Sequence, residues 1–206
     1  MAVPVAKHRY TVAEYLELER ASDVRHEFHD GEILAMAGGT IRYALVVTNV
    51  SGALWSKLQG KPCRTYGSEL KIGIPQEFRF VYPDSSIICG DPIPDPNDPR
   101  SESAINPKVV IEVLSPTTER YDRTKKFEYY RSLESLEEYV LVASDEPRIE
   151  TFFRQADGTW AFQSWTGLEA QVKLRAVSVT LPAREVYAGV TFEPIPEPVD
   201  RHDVPG

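Results

Sequence analysis

Two carboxylates sit inside apolar runs of this chain, and a lysine follows them on a helix. Asp84 lies in Phe80-Val81-Tyr82-Pro83-Asp84-Ser85-Ser86-Ile87-Ile88-Cys89, and Glu112 in Lys108-Val109-Val110-Ile111-Glu112-Val113-Leu114-Ser115-Pro116. Both runs are rich in β-branched and aromatic residues and are bounded by Pro and Gly, which predicts strands. An ionised carboxylate is costly to bury unless it is paired or holds a metal. Two of them invite a hard cation with oxygen ligands, Mg²⁺ or Mn²⁺. The lysine comes from Asp122-Arg123-Thr124-Lys125-Lys126-Phe127-Glu128-Tyr129-Tyr130-Arg131-Ser132-Leu133. Phe127, Tyr130 and Leu133 set the apolar face of that helix. At roughly 100° per residue, Lys126 falls within about 40° of Tyr130, and Lys125 lies about 100° from Lys126, toward the flank. An inward lysine wants a carboxylate partner, and Asp84 and Glu112 are candidates. The residues alone fit both a buried ion pair without chemistry and a metal site with a lysine beside it.

The pattern Pro83-Asp84, then Glu112-Val113-Leu114, resembles the PD-(D/E)XK nuclease superfamily. In that motif an Asp and a strand Glu bind the metal, and a Lys two residues after the Glu assists catalysis. Leu114 stands at the lysine position here. A longer string is more specific: Val110-Ile111-Glu112-Val113-Leu114-Ser115-Pro116-Thr117-Thr118, Tyr121-Asp122-Arg123, Lys126-Phe127-Glu128-Tyr129-Tyr130-Arg131, and Glu27-Phe28-His29-Asp30-Gly31-Glu32 upstream. Together these resemble the Uma-type restriction endonucleases, from about Tyr10 to about Leu181. The resemblance implies a restriction-endonuclease-like α/β (α+β) fold, a mixed central sheet flanked by helices. It implies hydrolysis of nucleic-acid phosphodiesters, DNA by the restriction analogy, and a lysine moved to the following helix, Lys126. Superfamily members often add an early glutamate to the site; Glu27 and Glu32 are candidates, Glu27 favoured. Relatives carry a histidine near the start of the long helix, where this chain has Arg42-Tyr43. Tyr43 can donate a hydrogen bond but is no neutral-pH base at its ordinary pKa.

On this reading Asp84, Glu112 and the Val113 carbonyl hold one Mg²⁺ (or Mn²⁺), and Lys126 orients water or stabilises charge on phosphorus. Arg42, Lys71, Arg120, Arg123 and Lys125 are available to bind substrate, although Lys71, like Arg79, reads as facing solvent. Two other classes fit the same residues: a nuclease fold without catalysis that binds DNA, and a homodimeric interaction module with an apolar patch beside Trp160 and Trp165. A homodimer also suits cleavage of a two-fold duplex.

The elements that must position these groups follow from local patterns. Thr11 and Glu14 form a capping box ahead of Val12 to Glu19. Asp30-Gly31 predicts a hairpin turn between Arg25–His29 and Glu32–Met36, with His26 and His29 on its surface. Ile41 to Leu58 predicts a long helix packed through Ile41, Ala44, Leu45, Val47, Val50, Leu54 and Leu58. Short strands are predicted over 63–66, 69–74 and 79–88. The proline-rich acidic stretch 90–107 reads as a structureless flap or partner-contacting loop. A strand over 137–143, a hairpin over 148–154 and 160–165, and strands over 171–173 and 177–181 finish the sheet. Residues 1–9 read as a loose arm. Residues 1–193 form one domain, and 194–206 a disordered tail.

Composition sets the outer bounds. The chain has 206 residues, 42% hydrophobic and 26% charged, with a formal net charge of -8. Such a charge argues against a protein that mainly coats nucleic acid, but not against a nuclease whose site is partly neutralised by a metal. Cys63 and Cys89 make no disulfide framework. No signal-like segment opens the sequence and no apolar run reaches about 18 residues, so the expected location is cytoplasmic.

Overall fold

A computed structural model describes residues 8–36 and 38–192. The expectations for most of the N-terminal arm and for the 194–206 tail lie outside the described residues. Helix α1 (Val12–Ala21) begins with the expected capping box: Thr11 accepts from the Glu14 N–H, and Glu14 reaches back to the Thr11 N–H at 2.7 Å. Strands β1 (His26–His29) and β2 (Glu32–Ala35) form the hairpin, with Asp30 and Gly31 both at positive φ as such a turn demands. Helix α2 (Ile41–Lys57) follows. It buries Val46, Val50 and Leu54 and caps on Leu58, but its first residue, Ile41, is 91% exposed and takes no part in the packing stripe.

The segment from Phe80 to Cys89 is not one strand. It breaks at Tyr82-Pro83-Asp84 into β5 (Arg79–Val81) and β6 (Ser85–Cys89), which belong to different sheets. Pro83 cannot donate to a ladder, so the chain leaves one sheet and enters the other there. β5 joins the hairpin, β4 (Lys71–Ile74) and β7 (Ser103–Ala104) in a five-stranded sheet ordered β2-β1-β5-β4-β7. β6 joins β3 (Cys63–Gly67), β8 (Val109–Leu114), β9 (Glu138–Ala143), β10 (Arg148–Arg154) and β11 (Trp160–Thr166) in a six-stranded sheet ordered β11-β10-β9-β8-β6-β3. The pair β8 and β9 is parallel, and every residue of both is buried. A parallel pair needs a crossover, and here the crossover carries the lysine.

Alternation along β8 assigns its two faces. Val109, Ile111 and Val113 pack on α2 together with Val140 and Val142. Val110 and Leu114 pack on the other face with Tyr130, Leu133, Leu136 and Tyr139. Glu112 shares that second face. Strands β12 (Gln171–Leu174) and β13 (Val179–Pro182) do not finish the main sheet; they pair with each other, and helix α5 (Ala183–Val186) follows. Val172, Leu174, Leu181 and Val186 pack into the α2 side of the core.

Two further expectations are corrected. The 90–107 stretch contains β7 and buries Asp95 and Asp98, so it is a packed strap rather than a structureless loop. Cys63 and Cys89, opposite each other in the β3–β6 register, are joined by a disulfide. Trp160 and Trp165 are half-buried, Trp160 edge-on against Phe127 and Trp165 against the α2-side core, while Phe162 between them is 55% exposed.

Candidate active site

The break between β5 and β6 places Asp84. The β6–β8 register pairs Ser85 with Ile111, and one further step sets Asp84 opposite Glu112. Asp84 Oδ2 accepts the Val113 N–H at 2.7 Å, and Oδ1 accepts the Tyr43 hydroxyl from the first turn of α2. Thr40 caps that turn through the Tyr43 N–H. Gly39 is required beside it, because a Cβ there would run into the Tyr43 ring.

The lysine arrives from a helical segment in three pieces: an α turn, α3 (Glu119–Tyr121), a π turn (Asp122–Lys126), and a second α turn, α4 (Phe127–Tyr130). A π turn inside a helix recurs at functional sites because it re-aims side chains. Lys126 points inward, as its place on the apolar stripe predicts, while the Lys125 side chain is 63% exposed. Lys126 Nζ lies 3.0 Å from Glu112 Oε1, 3.2 Å from Glu27 Oε1 and 3.2 Å from the Tyr82 carbonyl. Its three N–H groups thus face three acceptors, and Asp122 stands 4.0 Å away.

The carboxylates are held differently. Glu27 is buried on β1 and saturated: Oε1 meets Lys126 and the Tyr82 N–H, and Oε2 meets His29 and Tyr121. Glu112 receives the Tyr130 hydroxyl at 3.1 Å on Oε1, the same oxygen that Lys126 approaches. Among the described residues both partners of Glu112 converge on that oxygen.

Burial pushes the Glu27 carboxyl up, but the Lys126 charge and the hydrogen bond from His29 outweigh it and hold it below the usual carboxylate range. Burial wins at the others. It raises Asp84 against Lys126, Tyr43 and the Val113 N–H, raises Glu112 well above the carboxylate range, and lifts Asp122 to about 6. Lys126 is pushed down by burial, yet Glu112 and Glu27 raise it well above an ordinary lysine, so it stays charged.

Four buried carboxylates therefore share one lysine, and three of them bind protons more tightly than usual. The cluster lacks positive charge. A hard divalent cation would supply it, since the donors are oxygen. Among the described residues no three His, Cys, Asp or Glu side chains form a ready ligand set. A metal here would draw on two carboxylates, a main-chain oxygen and water, which would suit Mg²⁺, an ion that keeps several waters. The donor set fits on those terms.

A cleft of about 400 Å³ opens on the cluster, with Glu27, Tyr43, Asp84, Glu112, Val113 and Lys126 in its wall. Glu32 lies outside it, exposed on β2. The expected substrate-binding cations do not reach this wall; among the described residues Lys126 is its one cationic side chain. Lys71 is buried rather than solvent-facing, 3.7 Å from Asp98 of the strap and over the rings of Tyr15 and Phe80. Arg123 is tied to Glu119 at 2.7 Å and to Glu150. Arg42 is half-buried beside Tyr43, and Lys125 lies 3.8 Å from Glu128.

Three residues of the cluster were not anticipated from the sequence. His29 is buried rather than on the hairpin surface, Asp122 joins Lys126, and Tyr130 bonds Glu112. Asp122 had a signal: four residues before Lys126, it falls on the same helical stripe.

Comparisons with known proteins bear on the family and the fold. The family model described as "Uma2: Putative restriction endonuclease" matches residues 12–184. The uncharacterized protein slr1290 of Synechocystis sp. is 33% identical over 180 residues, covering 87% of this chain and 92% of that protein. The uncharacterized protein sll1609 of the same organism is 28% identical over 170 residues, covering 82% and 94%. A crystal structure titled as a putative nuclease belonging to DUF820, from Anabaena variabilis, shares the fold. Its TM-score is 0.67 at 19% identity, covering 86% of this chain and 97% of that one.

Proposed function

The chain belongs to the Uma2 family of restriction-endonuclease-like proteins, and from that premise we propose that it is a Mg²⁺- or Mn²⁺-dependent endonuclease that hydrolyses DNA phosphodiester bonds. The observation that carries this reading is the meeting of Asp84, Glu112 and Lys126 at one cleft, drawn from three separate elements. Asp84, Glu112 and the Val113 carbonyl would hold the ion, which polarises phosphate and lowers the pKa of water when bound.

The chain's own groups then divide the work. Lys126 stays protonated, so it serves as an electrostatic stabiliser of charge developing on the phosphoryl oxygens and not as a base. Glu27, ionised and saturated, anchors that lysine. Tyr130 fixes the Glu112 carboxylate, and Tyr43 with the Val113 N–H fixes Asp84. An incoming phosphate oxygen has to take one of the three acceptor places around Lys126, so the cluster must loosen slightly as substrate enters. Cleavage of both strands calls for a two-fold pair of sites, and we assign the working form as a homodimer. A cytoplasmic location goes with this reading; among the described residues no helix is long and apolar enough to cross a membrane.

Nicking of supercoiled plasmid tests the function. Wild-type protein should nick with Mg²⁺ or Mn²⁺, stop with EDTA, and lose activity in Asp84→Asn and Glu112→Gln. Nicking that survives EDTA, or that both variants retain, contradicts the proposal.

A further inference from the structure

Arg79, His29 and Glu27 form a chain of hydrogen bonds that ends on Lys126. The β1–β5 register sets His29 opposite Arg79, and alternation along β1 puts Glu27 and His29 on one face. Arg79 Nη1 lies 3.2 Å from His29 Nδ1. A guanidinium only donates, so Nδ1 accepts and carries no proton. The proton of the ring then sits on Nε2, which is 3.1 Å from Glu27 Oε2. On its other oxygen, Glu27 meets Lys126. Arg79 is itself fixed, with Nε donating to Glu77 at 2.9 Å and the guanidinium 3.9 Å from the Tyr129 ring centre. The Tyr121 hydroxyl, 3.1 Å from Nε2 and 3.4 Å from Glu27 Oε2, closes the same corner.

We propose that His29 is a positioning residue of the site: a neutral imidazole, its tautomer dictated by Arg79, that fixes the Glu27 carboxylate against Lys126 and so aims the lysine into the cleft. The kinetic part rests on the nuclease reading; the tautomer part stands on the hydrogen bonds alone. A carboxylate with two free rotamers would let Lys126 wander between Glu27 and Glu112. One donor behind it, held from a further layer, removes that freedom, as outer ligands do around metal sites. A side chain that merely filled space would leave Glu27 Oε2 without its imidazole donor.

The test combines a spectroscopic and a kinetic readout. Long-range ¹⁵N–¹H correlation spectra of ¹⁵N-histidine protein, with His29 assigned from its absence in His29→Gln, report the tautomer. The wild type should show His29 as the neutral ring protonated on Nε2, and Arg79→Met should lose that pure state. In plasmid nicking, His29→Leu should lower kcat about 10- to 100-fold with KM unchanged. His29→Gln, which keeps an N–H for Glu27, should recover most of that loss. A wild-type ring protonated on Nδ1 or on both nitrogens overturns the proposal, as does wild-type kcat in His29→Leu. If His29→Leu fails to fold, the wild-type and Arg79→Met spectra decide. If the wild type does not nick at all, the nuclease reading falls by itself, and the spectra still decide whether Arg79 sets the tautomer.

Discussion

Lys126 Nζ stands 3.0 Å from Glu112 Oε1, although the lysine rides on a π turn and the glutamate on a central strand. Leu114, two residues after the glutamate, packs on the same face of β8 with Tyr130 and Tyr139. The helical crossover between the parallel strands lies over that face, so a lysine projecting from it reaches the face that Glu112 and Leu114 share.

Replacing Lys126 by Met separates binding from turnover. Turnover should fall about 100- to 1,000-fold, the usual cost of losing one stabilising donor. Mn²⁺ binding should persist, because the lysine is not a ligand. The folded state should lose about 3 kcal/mol at neutral pH, since Glu27 and Glu112 are left buried without their cation. Urea unfolding at pH 5 and pH 8 should show the larger loss at pH 8, where both carboxylates must be charged when unfolded.

Asp122 gives the stability a pH signature in EDTA. Burial raises its folded pKa to about 6 from the ordinary 3.8. A raised carboxyl contributes stability that is present below pH 3.8 and lost as pH rises through 6. At 1.36 kcal/mol per pKa unit the loss is about 3 kcal/mol. Asp122→Asn should therefore match the wild type near pH 4 and exceed it above pH 7. Equal differences at both pH values in chemical denaturation would contradict the assigned shift.

The strap is locked by the Lys71–Asp98 pair, which Arg20 at 3.5 Å and Ser103 at 2.9 Å complete. Asp98→Ala leaves Lys71 buried without a carboxylate partner. The expected cost is about 3–5 kcal/mol in unfolding free energy. Limited proteolysis should also cut within residues 90–107 faster than in the wild type.

The Cys63–Cys89 bond closes a loop with a sequence separation of 26. Chain entropy alone makes it worth about 3.5 kcal/mol. Thiol titration of unfolded, unreduced protein should find no free cysteine, and Cys63→Ser with Cys89→Ser should lower the unfolding free energy by that order.

The sequence carried the fold class and pointed to residues that meet at one cleft, but not the course of the chain around them. Inward placement of Lys126 followed from its helical stripe, and Asp84 and Glu112 stood out as acids in apolar runs. The preference for Glu27 over Glu32 agrees with where the two residues lie. The sheet switch at Tyr82-Pro83-Asp84 was hidden, because a single proline in an apolar run reads equally as an edge-strand residue. The burial of His29 and Lys71 was hidden for a related reason. Both are covered by elements distant in sequence, His29 by Tyr121 and Tyr129 and Lys71 by the strap, and hairpin or strand periodicity says nothing of what lies above it. The disulfide depended on the β3–β6 register, which no local pattern encodes.

Calorimetric titration of Mn²⁺ into the wild type and into Glu112→Ala, with plasmid nicking followed in the same buffer, tests the central claim most directly. The wild type should bind the ion and nick, and both signals should vanish together in the variant. Wild-type protein that binds no Mn²⁺ would make the carboxylates partners of Lys126 and nothing more, and would contradict the metal nuclease.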